Sequence, residues 1–253
     1  CVRCHNKNGT AVGDFQDFSE VSAFAEVMLE KIDAGEMPPP ASDPSCRDYV
    51  GSDILFLDSD NRDVIADWID GGKLEGEVAD AQTYDSHLYK LEDANFELMM
   101  PEPYTATFVE TTDPGNEYRC FSLEHGQTEP FYITAMHPIV QNLQMSHHVI
   151  IGKAKKNGLI AGSETSQGAS CIHNGGAFAT GDLGMIGGWA PGMQPLRLPD
   201  GVGIRVEPDD YLVLQMHYFQ GDLKSEELTD YSGISMKITE SVDREAYMWI
   251  FGV

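Results

Sequence analysis

Short β-rich segments fill the second half of the chain, and this pattern constrains the fold more than any other feature. Beyond about residue 104, β-branched and aromatic residues cluster in short runs, and Gly, Pro and Asp separate these runs. The predicted strands cover residues 105–110, 117–123, 131–136, 146–153, 203–206, 211–219, 234–238 and 246–251. Short strands with no helices between them are typical of an all-β antiparallel sandwich or jelly roll.

The first part of the chain has helical periodicity instead. One apolar stripe recurs at the spacing of a helix face and consists of Val21, Phe24, Ala25, Met28 and Ile32. Asp17 and Ser19 precede the stripe and can cap the first backbone amides, and Gly35 follows it as a stop signal. This pattern predicts an amphipathic helix.

A second, short helix is predicted over residues 62–69. Ser59 or Asp60 would cap it, and Gly71 would end it. The preceding run DSDNRD superficially suggests a calcium loop, but Arg62 occupies the position of the third ligand and no Gly-then-Glu follows at the required offset. Capping is therefore the better interpretation of these acidic residues.

Three regions follow from this change of pattern. Residues 1–75 are predicted to form a small all-α domain, and residues 104–253 an all-β domain. Residues 76–103 are acidic and weakly patterned, which predicts a linker.

The overall charge excludes one class of partner. Lys and Arg number 16 against 41 Asp and Glu, for a net charge of −25. Neutralising nucleic-acid phosphates requires a basic surface, so a nucleic-acid role is not expected. No run of about eighteen apolar residues occurs, so no transmembrane segment is predicted.

The chain opens with CVRCH, from Cys1 to His5. In C-x-x-C-H, two thiols on one turn can both reach the vinyl groups of a porphyrin, and the adjacent His becomes an axial iron ligand. Zinc binding or thiol redox chemistry is the alternative, although no further zinc ligands are obvious nearby. Lipid modification of Cys1 is a competing use of that thiol.

The second axial ligand is expected to be Met37, in the sequence GEMPPP. The alternative is that Met37 fills the core, as Met28 does. C-x-x-C-H, an amphipathic helix and G-x-M-P-P together resemble a small class I c-type cytochrome. That resemblance implies haem c held by Cys1, Cys4, His5 and Met37. Such cytochromes have a helix before the motif, so we expect residues to be missing upstream.

Three histidines of the β-rich part form a candidate metal site. His147 and His148 head the apolar run HHVIIG, and His217 lies in YLVLQMHYF. Neighbouring residues of a regular strand point to opposite faces, so His147 and His148 can share a metal only if the backbone bulges or the strand begins there. A lone His on a strand face is more often a core residue, whereas three on two strands favour a ligand set.

Several segments of this part resemble, in order and spacing, the copper type II, ascorbate-dependent monooxygenases over about residues 100–253. The segments are YRCFSL, SHHVII, SCIHNG, GWAPGMQPLRLPDGVGIRV and YLVLQMHY. The resemblance implies the first jelly-roll domain of that family. It also implies that His147, His148 and His217 bind the electron-transfer copper, and that Cys120 and Cys171 form a disulfide.

The remaining candidates have no assigned chemistry. His87 and His125 are predicted to be solvated loop residues, and His137 a strand end. His173 has no clear counterpart in the family and is interpreted as a loop residue, with support of the metal site from outside the ligand set as the alternative. Cys46 is unassigned.

The sequence contains no H-x-H, the pair that supplies the family's second, oxygen-binding copper. We therefore expect a missing second copper domain, a partner subunit that supplies it, or a protein that does not hydroxylate. The expected function is an extracytoplasmic haem–copper redox protein, periplasmic or extracellular, that contributes to C–H hydroxylation of an organic substrate. Its electron donor would be a protein or ascorbate, and a missing N-terminal segment could anchor it to a membrane. The alternatives are a non-enzymatic electron-transfer or docking subunit and a copper-binding protein.

Overall fold

The structure is a computed structural model. It describes residues 1–2, 4–7, 11–38, 56–80, 90–109, 114–171, 183–221 and 223–248. The chain divides into two compact units, Cys1–Ser86 and His87–Val253. The division falls within the 76–103 segment. Within the described ranges, no helix has both the length and the apolar character needed to cross a bilayer.

The first unit contains the two predicted helices. Helix α1 spans Phe18–Asp33, and the side chain of Asp17 caps it by accepting hydrogen bonds from the backbone amides of the first turn. Helix α2 spans Ser59–Asp70. Its cap is Asp58 rather than Ser59 or Asp60, because the Asp58 carboxylate accepts from the backbone N–H of Asn61 at 2.7 Å. Gly71 ends α2, as predicted.

The expected cytochrome c-like all-α domain is not evident in the described part of residues 1–75. The only α-helices there are α1 and α2. Ala25 is the single buried residue of the two helices, so they enclose no apolar core of their own. Most helical stability in proteins comes from packing of an apolar face. A cytochrome-like fold would therefore need a further apolar group against the half-buried stripe of α1.

The second unit is almost entirely β-structure. Its described strands are β1 (Phe96–Met99), β2 (Tyr104–Thr105), β3 (Asn116–Glu124), β4 (Phe131–Ile139), β5 (Ser146–Lys155), β6 (Ala169–Ser170), β7 (Leu183–Trp189), β8 (Leu196–Arg197), β9 (Val202–Val206), β10 (Asp210–Phe219), β11 (Thr229–Asp230), β12 (Gly233–Thr239) and β13 (Arg244–Glu245). Strand β1 lies inside the segment predicted to be a linker. It pairs with β12, so this part of the segment belongs to the sheet.

Two sheets form a sandwich. One has the strand order β1-β12-β4-β9-β13, with β8 also paired to β4, and the other has the order β6-β3-β10-β5-β7. Strands β11 and β2 form a separate short ladder. Of the described pairings, only β13 with β9 is parallel. The antiparallel sandwich predicted from the sequence is therefore confirmed for this unit.

One apolar core lies between the two sheets. Phe121 and Leu214 come from the five-stranded sheet, and Ile133 and Ile234 from the other, all at 0% exposure. Alternate residues of β10 enter this core, and the opposite face of β10 is also covered, so nearly the whole strand is buried. This central strand carries His217.

Two predicted strands differ in the structure. Only Tyr104–Thr105 forms a ladder in the region of 105–110. The Ala106 N–H still donates to the Leu228 carbonyl, but the amides of Thr107 and Phe108 donate to the Glu117 carboxylate instead of to a neighbouring strand. Near the end, β13 (Arg244–Glu245) precedes the predicted strand 246–251. Residues 246–248 are not in a strand, and 249–251 lie outside the described residues.

Candidate metal centre

Two neighbouring strands bring the predicted histidines together. His217 on β10 lies directly opposite His148 on β5, whereas the next residue of β10, Tyr218, lies opposite Ser146. His147 is therefore the extra residue of a β-bulge. A bulge lets two successive side chains turn to one side of the sheet. The backbone bulge that the sequence analysis required for His147 and His148 to share a metal is therefore present.

The three imidazoles converge through the same ring atom. The Nδ1 atoms of His147 and His148 are 3.3 Å apart, and each lies 3.1 Å from the Nδ1 of His217. A metal bound by imidazoles at about 2.0–2.1 Å with near-tetrahedral angles needs nitrogen atoms about 3.3–3.4 Å apart. The triangle therefore fits one ion, and three neutral imidazoles are a donor set that copper accepts.

The other ring nitrogen of His217 is held by an acceptor. Its Nε2 lies 2.7 Å from Oδ1 of Asn116, so Nε2–H donates and the Nδ1 lone pair faces the other two histidines. The Tyr118 ring stacks on the His217 ring at 4.1 Å and 8°. Sequence reasoning missed both Asn116 and Tyr118. Their signal is the pairing of β3 with β10, which places Tyr118 opposite His217.

The site opens to solvent at one corner. His147 is exposed, His148 is half-buried and His217 is buried. Burial, with a smaller contribution from the neighbouring His147, lowers the pKa of His148. A lowered pKa favours the neutral imidazole, which is the form that binds a metal.

The disulfide lies on the same sheet face as the triad. Cys120 on β3 and Cys171 are joined, with Cα atoms 5.8 Å apart. Val213 packs against the bridge in a small cluster that is separate from the main core. Gln215 lies between Val213 and His217 on this face of β10, and its Nε2 donates to the carbonyl of Cys171 at 3.2 Å. The pairing implied by the family resemblance is therefore present.

In the sandwich, the structure also describes His125 and His137, and neither belongs to the triad. His125 is 5% exposed, so the prediction that it is a solvated residue is wrong. Its Nε2 lies 3.1 Å from the Glu207 carbonyl oxygen, and its Nδ1 accepts from the backbone N–H of Gln127 at 3.1 Å. His137 is half-buried with Nε2 3.4 Å from the Met193 carbonyl, and its burial lowers its pKa. His87, His173 and Cys46 lie outside the described residues.

Cys1, Cys4 and His5 share a hydrogen-bonded backbone turn. The backbone amides of Cys4 and His5 both donate to the Cys1 carbonyl, at 3.1 and 3.0 Å. Neither cysteine is in a disulfide. The Nδ1 of His5 lies 2.7 Å from the Val12 carbonyl, and its ring stacks on Phe15 at 4.2 Å. A proton held at Nδ1 leaves Nε2 with the lone pair of a metal ligand.

Met37 follows α1 in a turn in which its backbone N–H donates to the Lys31 carbonyl. Its side chain is 38% exposed, so it is not part of a buried core. The alternative that Met37 fills the core is therefore not supported. Its pairing with His5 across one iron stays a prediction.

The structure places the His87–Val253 unit in a class of proteins: β-sandwiches that contain a disulfide and carry three converging imidazoles on the outer face of one sheet. A family model described as copper type II ascorbate-dependent monooxygenase, N-terminal domain, matches residues 104–225. The matched range contains all three histidines and both bridged cysteines. The match supports the copper type II monooxygenase family, copper as the metal, and copper-dependent hydroxylation as the associated chemistry.

Proposed function

We propose that this chain is an extracytoplasmic haem–copper redox protein that delivers electrons for a copper-dependent hydroxylation of an organic substrate. The observation that carries the proposal is the convergence of three Nδ1 atoms within 3.1–3.3 Å, inside the matched range. The Cys120–Cys171 disulfide supports an oxidising compartment outside the cytoplasm.

In the copper domain, His147, His148 and His217 would hold the ion through Nδ1. Bound copper supplies one-electron redox chemistry between its cuprous and cupric forms. The chain's own residues prepare the site for this chemistry. Asn116 fixes the proton of His217 at Nε2, and the Tyr118 ring restrains the imidazole plane. The exposed His147 edge leaves the site accessible to an electron partner, which in this family can be ascorbate.

In the first unit, Cys1 and Cys4 would hold haem c through thioether bonds, and His5 and Met37 would bind its iron. The Val12 carbonyl holds the Nδ1 proton of His5, which leaves Nε2 for iron. The apolar stripe of α1 is only half-buried at Val21, Phe24, Met28 and Ile32. This partial burial supports the proposal that an apolar group such as haem packs against the stripe. A covalently attached haem would supply electrons from an external donor at high effective concentration.

Hydroxylation needs a second copper site. The given sequence has no H-x-H, so we propose that a further domain or a partner subunit provides that site. A non-enzymatic electron-transfer or docking subunit is the second candidate. It is favoured by the observation that the described residues contain one candidate metal cluster, the His147–His148–His217 triad.

The copper site is tested by adding cupric ion to the copper-free protein and recording its electron paramagnetic resonance spectrum. We expect one tightly bound ion with nitrogen hyperfine coupling, and at least 100-fold weaker binding in His217→Ala. His137→Ala is the matched control, because His137 is a half-buried histidine of the same sandwich that lies outside the triad. Unchanged binding in His217→Ala would overturn the assignment.

The electron path is tested separately in the haem- and copper-loaded protein. Reducing the haem anaerobically should abolish the cupric signal if the haem passes electrons to this copper. A cupric signal that persists beside a reduced haem would refute the proposed path and would leave the copper site itself intact. Covalent haem is checked first, by its retention on the chain under denaturing acid extraction.

A further inference from the structure

A fully buried carboxylate lies on the opposite side of the strand that carries His217. Asp230, on β11, is 0% exposed. Its Oδ1 accepts from the backbone N–H of Asn142 at 3.0 Å and from the Ser232 hydroxyl at 2.9 Å. Its Oδ2 accepts from the Tyr218 hydroxyl at 3.0 Å. A buried carboxylate with this many donors is satisfied, but such groups contribute little net stability.

Two of these donor residues, Tyr218 and Asn142, are connected through the backbone to the candidate metal ligands. Tyr218 follows His217 on β10, with its ring on the core face of the strand. Asn142 begins the turn that enters β5. Its carbonyl accepts from the Ser146 N–H at 2.9 Å, and its side-chain Oδ1 accepts from the Met145 N–H at 3.1 Å. The two residues before His147 are therefore both fixed by Asn142.

The connections close into a ring. Asn142 Nδ2 donates to the carbonyls of Glu227 and Thr229, at 2.7 and 3.0 Å, and so joins the turn to the chain before Asp230. On the other side, the Phe219 N–H donates to the Met145 carbonyl at 2.8 Å and joins β10 back to the turn. The network therefore connects both sides of the bulge that turns His147 toward His217.

A bulge needs such external support. The extra residue of a bulge has no partner in the ladder, so the ladder alone does not determine where its side chain points. His147 is also the most exposed of the three histidines, so packing restrains it least. The Phe219 ring lies 6.4 Å from the His147 ring, and hydrogen bonds to the preceding residues help to fix the position of His147.

We infer that Asp230 and Asn142 are positioning residues of the histidine triad: they hold the turn before the bulge against strand β10 and so set the triangle of Nδ1 atoms. This inference rests on the proposed copper site. The residues touch no metal ligand side chain and act through backbone and Tyr218. Outer partners of metal ligands typically change affinity by about 10–100-fold when removed.

The test uses Asn142→Ala and Tyr218→Phe, which break the network at two different points. We expect each variant to bind cupric ion about 10-fold or more weakly in a chelator competition, and to change the hyperfine pattern of its electron paramagnetic resonance spectrum. Tyr211→Phe is the matched control. It removes another tyrosine hydroxyl hydrogen bond from the same strand, to Glu124 at 2.7 Å, at about 20 Å along β10 from His217.

A purely structural role would lower thermal stability without altering affinity or hyperfine pattern in the folded fraction, and that result would overturn the inference. Ring nitrogen resonances of the copper-free protein give an independent readout. They should shift for His147 and His148 in Asn142→Ala and stay in place in Tyr211→Phe. Failure of the wild-type protein to bind copper would refute the proposed function, whereas unshifted rings in Asn142→Ala would refute the positioning role itself.

Discussion

The two units of this chain stabilise their structures in different ways. The His87–Val253 unit has a continuous apolar core to which both sheets contribute. In the Cys1–Ser86 unit, Ala25 is the single buried residue of the two helices. Described contacts between α1 and α2 include ion pairs instead, with Arg62 on Asp33 at 2.8 Å and Lys73, just after α2, on Glu26 at 2.7 Å. Exposed ion pairs contribute little.

The difference predicts that the two candidate sites depend on their proposed cofactors to different degrees. The sheet brings His147, His148 and His217 together from residues 70 apart, by strand pairing that needs no metal. The CVRCH ligands are contiguous in sequence, so a single turn aligns them. Among the described residues of the first unit, Phe15 contacts the stripe of α1 at Phe24, with ring centroids 6.1 Å apart, and the stripe stays half-buried. The fold of the first unit is therefore expected to require haem, whereas the sandwich is not expected to require copper.

We expect the strongest loss of structure in the helical unit, where Ala25 is the single buried residue of α1 and α2. In the haem-loaded chain, replacing both thiols by Cys1→Ser and Cys4→Ser should remove covalent haem and unfold α1 and α2. The sandwich should keep its fold, because its core lies between its own sheets. Limited proteolysis with mass analysis measures both outcomes at once, by cleavage within residues 18–70 and protection of residues 116–219.

His217→Ala is the reciprocal control for that experiment. It should abolish copper binding while leaving the first unit resistant to protease. If the double serine variant keeps α1 and α2 protected without haem, the first unit has a core of its own and the haem proposal loses its structural support.

Sequence patterns predicted much of the fold because the strongest patterns coincide with buried strands. Strand β10 and strand β3 fall within one residue of their predicted bounds, and α1 begins at the expected cap. Strand β7, LGMIGGW, was missed because three of its seven residues are glycine, which lowers the strand signal. Strand β1 was missed because its FELM sequence lies in an acidic segment and is stabilised by pairing with β12.

For the candidate site, the ligand residues could be predicted from the sequence, but the residues that hold the ligands in place could not. The adjacent pair His147-His148 raised the question of a bulge, which only strand register could answer. Asn116 and Tyr118 were not singled out, since their relation to His217 depends on the β3–β10 pairing. Asp230 and Asn142 act across connections of 88 residues, which local patterns do not encode.

The sandwich has a covalent cross-link, the Cys120–Cys171 disulfide, in addition to its apolar core. Removing it by Cys120→Ala with Cys171→Ala should lower the free energy of unfolding of the sandwich by about 2–4 kcal/mol, since it closes a long loop. Urea denaturation followed by the fluorescence of Trp189, which is buried in this unit, measures the change. The first unit should be unaffected, as neither cysteine belongs to it.

The size of this loss distinguishes the contribution of the apolar core from that of the disulfide. A loss near zero would mean that the core alone sets the stability of the sandwich. A loss of the whole fold would mean that the core is insufficient, and that the two units differ less than their burial suggests. Gln215 provides a milder control: Gln215→Leu removes the hydrogen bond to the Cys171 carbonyl and leaves the bridge intact.

The smallest predicted effect is at an exposed ion-pair cluster of the sandwich. Asp93 accepts from Arg197 and Lys237, both at 2.7 Å, and so ties the segment before β1 to β8 and β12. Arg197 first, and then Lys237, hold the pKa of Asp93 well below its ordinary value. A carboxyl whose folded pKa is depressed stabilises the fold at pH values above its unfolded pKa of about 4, and this contribution is lost as pH falls through the folded pKa.

Asp93→Asn should therefore lower the melting temperature of the sandwich slightly at pH 7, and the difference from wild type should shrink as pH falls below about 4. Glu129→Gln, at another exposed carboxylate of the same unit, should give a smaller difference at pH 7. Thermal unfolding across this pH range measures both.

Because the sandwich has its apolar core, losing one exposed ion-pair cluster should lower its stability only slightly. The same kind of loss in Arg62→Gln should matter more in the first unit, where ion pairs are among the few contacts between α1 and α2. Equal effects in the two units would contradict the division between a core-stabilised sandwich and a cofactor-dependent helical unit.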